Sequence, residues 1–255
     1  AQVFSYGALK HFGEGLVLGS QGEVGVARGE FREALRWSQN DLYYRALAEA
    51  GTARLNSIAG VPGGDLEALR AEFAEVGHEA LDAAHAAVDY DSSNFLNWLA
   101  LGNVHQALFG PGVGDAYTPA RAAYNEALKL FPGNPSVYVA VARLEIAAKD
   151  NQKAKEYLAE ALEKKPDFTP ALLLAAELAS REGDLVLLEK MSEEAVRSSP
   201  DDYGPRFFLG LAYVRLKKIE SAIVTFEELR RRYPDREQVV KILADLRGGK
   251  SLFAQ

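Results

Sequence analysis

The sequence predicts an all-α solenoid of about thirteen helices, built as six helix-turn-helix repeats and closed by a C-terminal capping helix. Three observations predict it. Pro132, Pro166, Pro200 and Pro234 follow one another at intervals of 34 residues. With 10 prolines among 255 residues, three further hits from a given start would arise by chance roughly 6 times in 100,000, so the period is structural. Small and bulky residues recur at fixed offsets from these prolines. The composition, 48% apolar and 25% charged, is that of a globular chain with a substantial core and excludes disorder or a collagen-like chain.

With each proline set at position 32, position 20 holds Ala120, Ala154, Leu188 and Ala222, and position 27 holds Ala127, Ala161, Ala195 and Leu229. Position 8 holds Gly102, Ala142, Ala176 and Gly210, and position 24 holds Tyr124, Leu158, Ser192 and Phe226. Over about 95–236 this pattern resembles the tetratricopeptide repeat (TPR) family. The resemblance implies pairs of antiparallel helices stacked into one right-handed superhelix. Their axes approach closely where positions 8, 20 and 27 meet, and only small residues allow that without overpacking. Bulky residues such as Trp98, Leu101, Tyr213 and Phe226 fill the space alongside. The position-32 proline stops the second helix.

The repeats are read as one array over residues 1–255, in order 8–41, 42–94, 95–134, 135–168, 169–202 and 203–236. In the first, Gly15, Ala27, Phe31, Ala34 and Gln39 fall at positions 8, 20, 24, 27 and 32. Ala80, Ala84, Ala87 and Ser92 do so from position 20 of the second. That repeat carries an insertion ending in Val61-Pro-Gly-Gly-Asp65, with Asp65 expected to cap a helix of some 25 residues. Leu66, Leu69, Phe73, Val76 and Ala80 form its apolar stripe and carry it about three turns beyond a normal repeat helix. The third repeat has its surplus between Phe109 and Asp115, after which Thr118 and Pro119 are expected as N-cap and first-turn proline. Residues 237–247 form the cap, with Val239, Val240, Ile242, Leu243 and Leu246 covering the last repeat and Gly248-Gly249 ending it.

Cysteine is absent, which removes disulfides, thiolate metal sites and cysteine nucleophiles. The chain opens with Ala1-Gln2, as a processed chain or a fragment would, and no basic, apolar leader follows. No segment reaches 18 uninterrupted apolar residues. The net charge of −7 argues against a nucleic-acid partner. Residues 61–92 carry eight acids against Arg70, and 205–250 carry eleven Lys or Arg against six acids. Such runs can orient a charged partner, but solvated helix faces are the preferred reading.

Candidate chemistry is sparse. His78, Asp82 and His85 share a helix face with Asp89 at a spacing that could hold a divalent metal, but a solvated face accounts for them without one. His105 falls at position 11, a packed site between the helices, and is read as structural. Gly248-Gly-Lys-Ser251 lacks the strand and earlier glycine of a phosphate loop, and Gly110-Pro-Gly-Val-Gly114 is a loop. No Ser-His-Asp arrangement can be assembled. No catalytic, cofactor or metal-binding residue is therefore expected.

What remains is surface. TPR arrays bind partners through first-helix positions 2, 5, 9 and 12, so the resemblance implies a protein or peptide partner in a groove. Its floor includes Asn103, Gln106, Arg143, Glu177, Phe207 and Leu211, with Leu99, Val139, Ile146, Leu173, Ser180 and Val214 beside them. This mixed floor suits an amphipathic helix or an extended segment. Leu99 at position 5 and Pro170 at position 2 speak against a clamp for chain-terminal carboxylates.

Two further runs are more particular. Asn94-Phe-Leu-Asn-Trp-Leu-Ala-Leu-Gly-Asn-Val-His105 with Gly112–Tyr117, and Asn40-Asp-Leu-Tyr-Tyr-Arg-Ala-Leu-Ala48 upstream, resemble the TPR tails of bacterial membrane proteins of the O-antigen polymerase or ligase type. That resemblance, over roughly 20–200, implies a membrane domain ahead of Ala1 and a role in envelope polysaccharide assembly. It also implies that any glycan-joining chemistry belongs to that domain. This chain itself is expected to insert no segment into a membrane.

Overall fold

The computed structural model describes residues 2–60, 65–109 and 115–249. Among these, thirteen α-helices and no strand are found. They are α1 (Gln2–Ser20), α2 (Val24–Trp37), α3 (Asp41–Ala59), α4 (Leu66–Tyr90), α5 (Phe95–Leu108) and α6 (Tyr117–Leu130), then α7 (Pro135–Ala147), α8 (Asn151–Lys164), α9 (Thr169–Glu182), α10 (Leu185–Ser198), α11 (Tyr203–Arg215), α12 (Ile219–Arg232) and α13 (Glu237–Arg247). The chain divides into two compact units, residues 1–133 with 147–149, and residues 134–146 with 150–255.

In the first unit, helix pairs meet where a glycine of one faces a ring of the next. A Cβ on Gly15 would lie 2.5 Å from the Phe31 ring, and one on Gly102 would lie 2.3 Å from the Tyr124 ring. Gly51 of α3 does the same work against Ala80 of α4, at 2.6 Å. These approaches are closer than any real side chain tolerates, so α1 and α2, α3 and α4, and α5 and α6 can pack only over bare backbone. The insertion of the second repeat lengthens both of its helices. Beyond the period, Leu55 and Ile58 of α3 close over Val76 of α4, with Leu69 and Phe73 packed alongside. Leu66, at the tip of the expected stripe, stays 65% exposed and outside that cluster.

Asp65 caps α4 as expected, its Oδ1 accepting from the amides of Glu67 and Ala68 at 3.0 and 3.2 Å. Thr118 does not cap α6. Asp115 Oδ1 accepts from the Thr118 amide at 3.1 Å, and the helix begins at Tyr117, two residues ahead of the expected Pro119. An ionised carboxylate is the stronger acceptor for a helix N-terminus than a hydroxyl, so it takes over the cap.

Charged side chains tie the helices of this unit together. Arg28 and Arg32 of α2 both donate to the Glu79 carboxylate of α4, Arg28 Nε at 2.9 Å, and Arg54 of α3 donates to Glu72 at 2.7 Å. Part of the acidic run is thus an inter-helix ion-pair ladder rather than a solvated face. Asn97, fully buried at the start of α5, accepts from Arg45 at 2.7 Å and donates to the carbonyls of Ala87 and Asp91. Asn94 donates to Asp41 at 2.9 Å. Burial pushes the Asp41 carboxyl up, but the Asn94 and Asn97 amides and the Arg45 guanidinium together outweigh it and hold it below the usual carboxylate range.

In the second unit the same geometry recurs with exchanged volumes. Gly210 faces Phe226, where a Cβ would lie 2.7 Å from the ring. Ala142 shares a cluster with Leu158, and Ala176 pairs with a helix that carries Ser192 at position 24. Glycine stands where position 24 is aromatic; alanine suffices where it is smaller. The turns inside the last three repeats, one of them in the 147–149 segment of the first unit, are also periodic. Lys149, Gly183 and Lys217, spaced by 34 residues, all take left-handed backbone, with φ of 65°, 79° and 59°. This lets the following amide reach back to a carbonyl of the first helix, as Asp184 N does to Ala179 O at 2.9 Å. Asp150 and Asp184 then cap α8 and α10, whereas Lys218 in the corresponding place gives α12 no side-chain cap. Helix α13 buries Val239, Ile242, Leu243 and Leu246 against Ala222, Phe226 and Leu229. Val240, expected among the covering residues, is 46% exposed because it falls on the far side of the helix.

Candidate partner-binding site

The six groove residues lie on first helices of their repeats, two in the first unit and four in the second. On α5, Asn103 and Gln106 stand one turn apart over the ring that Gly102 admits. The Tyr124 hydroxyl lies 2.9 Å from Asn103 Oδ1 and 2.6 Å from Gln106 Oε1. The hydroxyl shares its one proton between these two amide oxygens. Both amides are therefore oriented by the repeat's own core and present their remaining donors and acceptors as a fixed pair.

In the second unit, Arg143 of α7 is exposed and makes no hydrogen bond or ion pair with any described residue. Glu177 of α9 accepts from Arg181 on its own helix, and Ser180 is taken up by Arg215 of α11. Phe207 and Leu211 of α11 pack on the cluster formed with α13; the Phe207 ring stacks on Tyr203 at 5.3 Å and meets Phe226 edge-on at 5.7 Å. Only part of each side chain reaches solvent. Val139, at position 5 of its repeat, is buried.

Arg143 opens onto a cleft of about 540 Å³. Its apolar wall is Phe168, Pro170 and Leu173; its polar groups are Lys165, Asp167, Thr169, Ser198, Ser199 and Asp202. Lys165 Nζ stands 5.9 Å over the Phe168 ring, and the Thr169 and Ser199 hydroxyls bond each other at 2.8 Å. Of the expected floor, the cleft gathers Arg143 and Leu173; Glu177, Phe207 and Leu211 are not among its lining residues. The residues that sequence reasoning missed come from the segments beside Pro166 and Pro200. The periodic prolines mark where those segments sit, since each ends a helix at the same place in every repeat.

A smaller cleft of about 280 Å³ lies in the first unit between α1, α2 and α3. Gly15, Gly19, Val24, Ala46 and Ala50 give it small apolar walls, and Glu49 is its one ionisable side chain. The surrounding protein pushes the Glu49 carboxyl up, and Arg45, 3.8 Å away, draws it back only in part.

The histidines lie as the sequence suggests. His78, Asp82 and His85 point into solvent along α4. His105 is half-buried, and its ring meets His85 edge-on at 6.2 Å. Desolvation, with a smaller contribution from His85, lowers the His105 imidazole below its ordinary value.

Against known proteins, a family model described as ChAPs (Chs5p-Arf1p-binding proteins) matches residues 118–249. The fold is similar to that of pilF from Pseudomonas aeruginosa, at 16% identity and a TM-score of 0.57, covering 95% of this chain and 99% of that one. It is similar to yeast Tom70 at 15% identity and a TM-score of 0.60, covering 97% of this chain and 55% of that one. A third likeness is to a chain of the Cut9–Hcn1 hetero-tetramer of the APC/C, at 16% identity and a TM-score of 0.60, covering 94% of this chain and 42% of that one. No curated relative matches the sequence. The structural likenesses show the fold, an all-helical solenoid of paired repeats.

Proposed function

The chain is a tetratricopeptide-repeat protein of the family described as ChAPs (Chs5p-Arf1p-binding proteins), and from that premise we propose that it is a non-catalytic scaffold that takes a peptide segment of another protein into the cleft of its second unit. One observation carries the reading. Arg143 is an exposed guanidinium without a partner among the described residues, and it stands at a cleft whose wall is Phe168, Pro170 and Leu173. A guanidinium recognises a carboxylate through paired donors, and the apolar wall takes the side chain beside it. The occupant is accordingly an extended or helical segment with an acidic residue next to an apolar one. The family's name and one structural neighbour support an interaction role: the ChAPs are named for binding, and Cut9 assembles with Hcn1.

The experiment introduces a photo-crosslinking side chain at Leu173 in source cells and identifies the crosslinked peptide. That peptide is then titrated, fluorescently labelled, onto the purified chain. Arg143→Glu, on an exposed position, should weaken binding at least about tenfold, about 1.4 kcal/mol, while the helical circular dichroism is unchanged. Equal binding by the folded variant sinks the site. The paired amides of Asn103 and Gln106 would then be the next surface to probe.

In its finer form the reading places this scaffold as the TPR region of a bacterial membrane protein in envelope polysaccharide assembly. What supports it is the resemblance carried by Asn40–Ala48 and Asn94–His105, whose Asp41, Arg45, Asn94 and Asn97 form one joint between α3 and the α4–α5 turn. No described helix is long and apolar enough to cross a membrane, so a tether would belong to other residues. Alkaline carbonate washing of source-cell membranes, followed by immunoblotting, tests it. A resistant band well above 27.8 kDa supports the tail; a carbonate-released band near that mass leaves a free-standing adaptor.

A further inference from the structure

The fourth histidine, His11, lies outside every motif described above. Helices α1 and α2 are locked by Phe12 against Phe31, ring centroids 5.8 Å apart, and by Gly15 under the Phe31 ring. The residues next to that pair, His11 and Glu30, are thereby brought together at the edge of the hairpin. His11 Nδ1 lies 2.7 Å from Glu30 Oε2, and 3.9 Å from Oε2 of Glu14, one turn along α1. All three donor atoms lie within 4.8 Å of one another, and both His11 and Glu30 are only 25% exposed.

We propose that His11, Glu14 and Glu30 bind one divalent transition-metal ion of the zinc class. The donor geometry carries this. Zn²⁺ sits about 2.0–2.1 Å from imidazole nitrogen and carboxylate oxygen in tetrahedral array, which places two donors about 3.3 Å apart. The two separations from the imidazole nitrogen, 2.7 and 3.9 Å, bracket that spacing, and the two carboxylates lie within 4.8 Å of each other, so rotation of the side chains closes the set. The charges point the same way. Two carboxylates converge on the one imidazole, and Lys10 stands 3.8 Å from Glu14. A divalent ion at the centre would balance both carboxylates. One nitrogen with two oxygens favours zinc and its neighbours over magnesium or calcium, which prefer all-oxygen sites. Three protein donors leave a fourth position for water or for a donor from a docked partner.

The test is isothermal titration of ZnCl₂ into the full chain after chelator treatment, with MgCl₂ as control. One zinc ion should bind per chain and magnesium should give no saturable heat. Glu30→Gln, which keeps the side chain's size, and His11→Ala should each weaken zinc binding at least about tenfold. The visible bands of Co²⁺ bound in place of zinc should disappear in His11→Ala. His105→Ala should leave uptake unchanged. Absence of stoichiometric uptake overturns the site, as does full affinity in folded His11→Ala. Loss of uptake in His105→Ala overturns it equally, since that would assign the ion to the His85–His105 pair.

Discussion

Replacing Gly102 by alanine tests the idea that each repeat matches a hole at position 8 to the volume at position 24. The added methyl would lie 2.3 and 2.4 Å from two atoms of the Tyr124 ring, which is fully buried. Carbon atoms pack at about 3.5–4.0 Å, so the ring or the helix must move by more than 1 Å. Overpacking of this kind costs about 1–3 kcal/mol, and the severity of the contact argues for the upper end. Removing a mid-helix glycine returns about 1 kcal/mol of helix propensity, leaving a net loss of about 2 kcal/mol. The companion change, Tyr124→Leu, copies the Ala142 and Leu158 solution that the second unit uses natively. Alone it should destabilise through the lost ring and the lost bonds to Asn103 and Gln106. Those losses, like the helix-propensity gain, occur in both backgrounds, so they cancel in the double-mutant cycle and leave the steric coupling, expected at about 2–3 kcal/mol in favour of the double variant. Urea titration followed by fluorescence is suited to it, because Trp98 lies on the same helix as Gly102. A coupling within about 0.3 kcal/mol of zero, or a Gly102→Ala chain more stable than the parent, refutes the reasoning.

Other consequences follow from single contacts. Lys217 pays for left-handed backbone at φ 59°, so Lys217→Gly should stabilise the second unit by about 0.5–1 kcal/mol, the relief of strain exceeding glycine's added chain entropy; a loss in urea midpoint contradicts it. Glu79 is pushed up by burial but drawn down further by Arg32 and Arg28, so its folded pKa lies below the unfolded one. Its contribution is therefore complete above about pH 4.5 and disappears as pH falls through the folded value. Glu79→Gln should flatten that acid limb and destabilise by about 2 kcal/mol at neutral pH, because Arg28 stays buried without its counter-charge; an unaltered acid limb in pH-dependent melting excludes this. Burial, and then the bond to Glu193 at 3.0 Å, push the Tyr213 phenol up to about 12. The neutral phenol is thus favoured by the fold, its stabilisation is intact below about pH 10 and is lost as pH rises towards 12. Tyr213→Phe should melt with a shallower alkaline decline than the parent over that range, and parallel curves would count against the assignment.

What the sequence by itself determined is everything that repeats within one helix pair. A spacing of 34 residues, small residues at positions 8, 20 and 27, and a proline behind each second helix are local requirements of two helices lying close, so they recur and can be counted. The left-handed turn is equally periodic, at Lys149, Gly183 and Lys217, but two lysines hide it because only glycine advertises such a backbone. Of the candidate site, Arg143 and Leu173 were legible because each falls at a groove position of a first helix, α7 and α9, whose offset within the repeat is known. The other cleft residues lie in turns, and which turns face a neighbouring first helix depends on how successive pairs pack. Phe207 and Leu211 show the converse, since apolar residues at groove positions can be taken up by the core of their own repeat. Contacts between distant residues were decided only in three dimensions. Asn97 meets Arg45 across 52 residues, Glu79 meets Arg28 across 51, and His11 meets Glu30 across 19. No periodicity links those pairs, because each is set by the side chains that happen to border a packed glycine or ring. Charge and hydrogen-bonding chemistry therefore entered this protein through its tertiary packing, while its architecture was already written in the repeat.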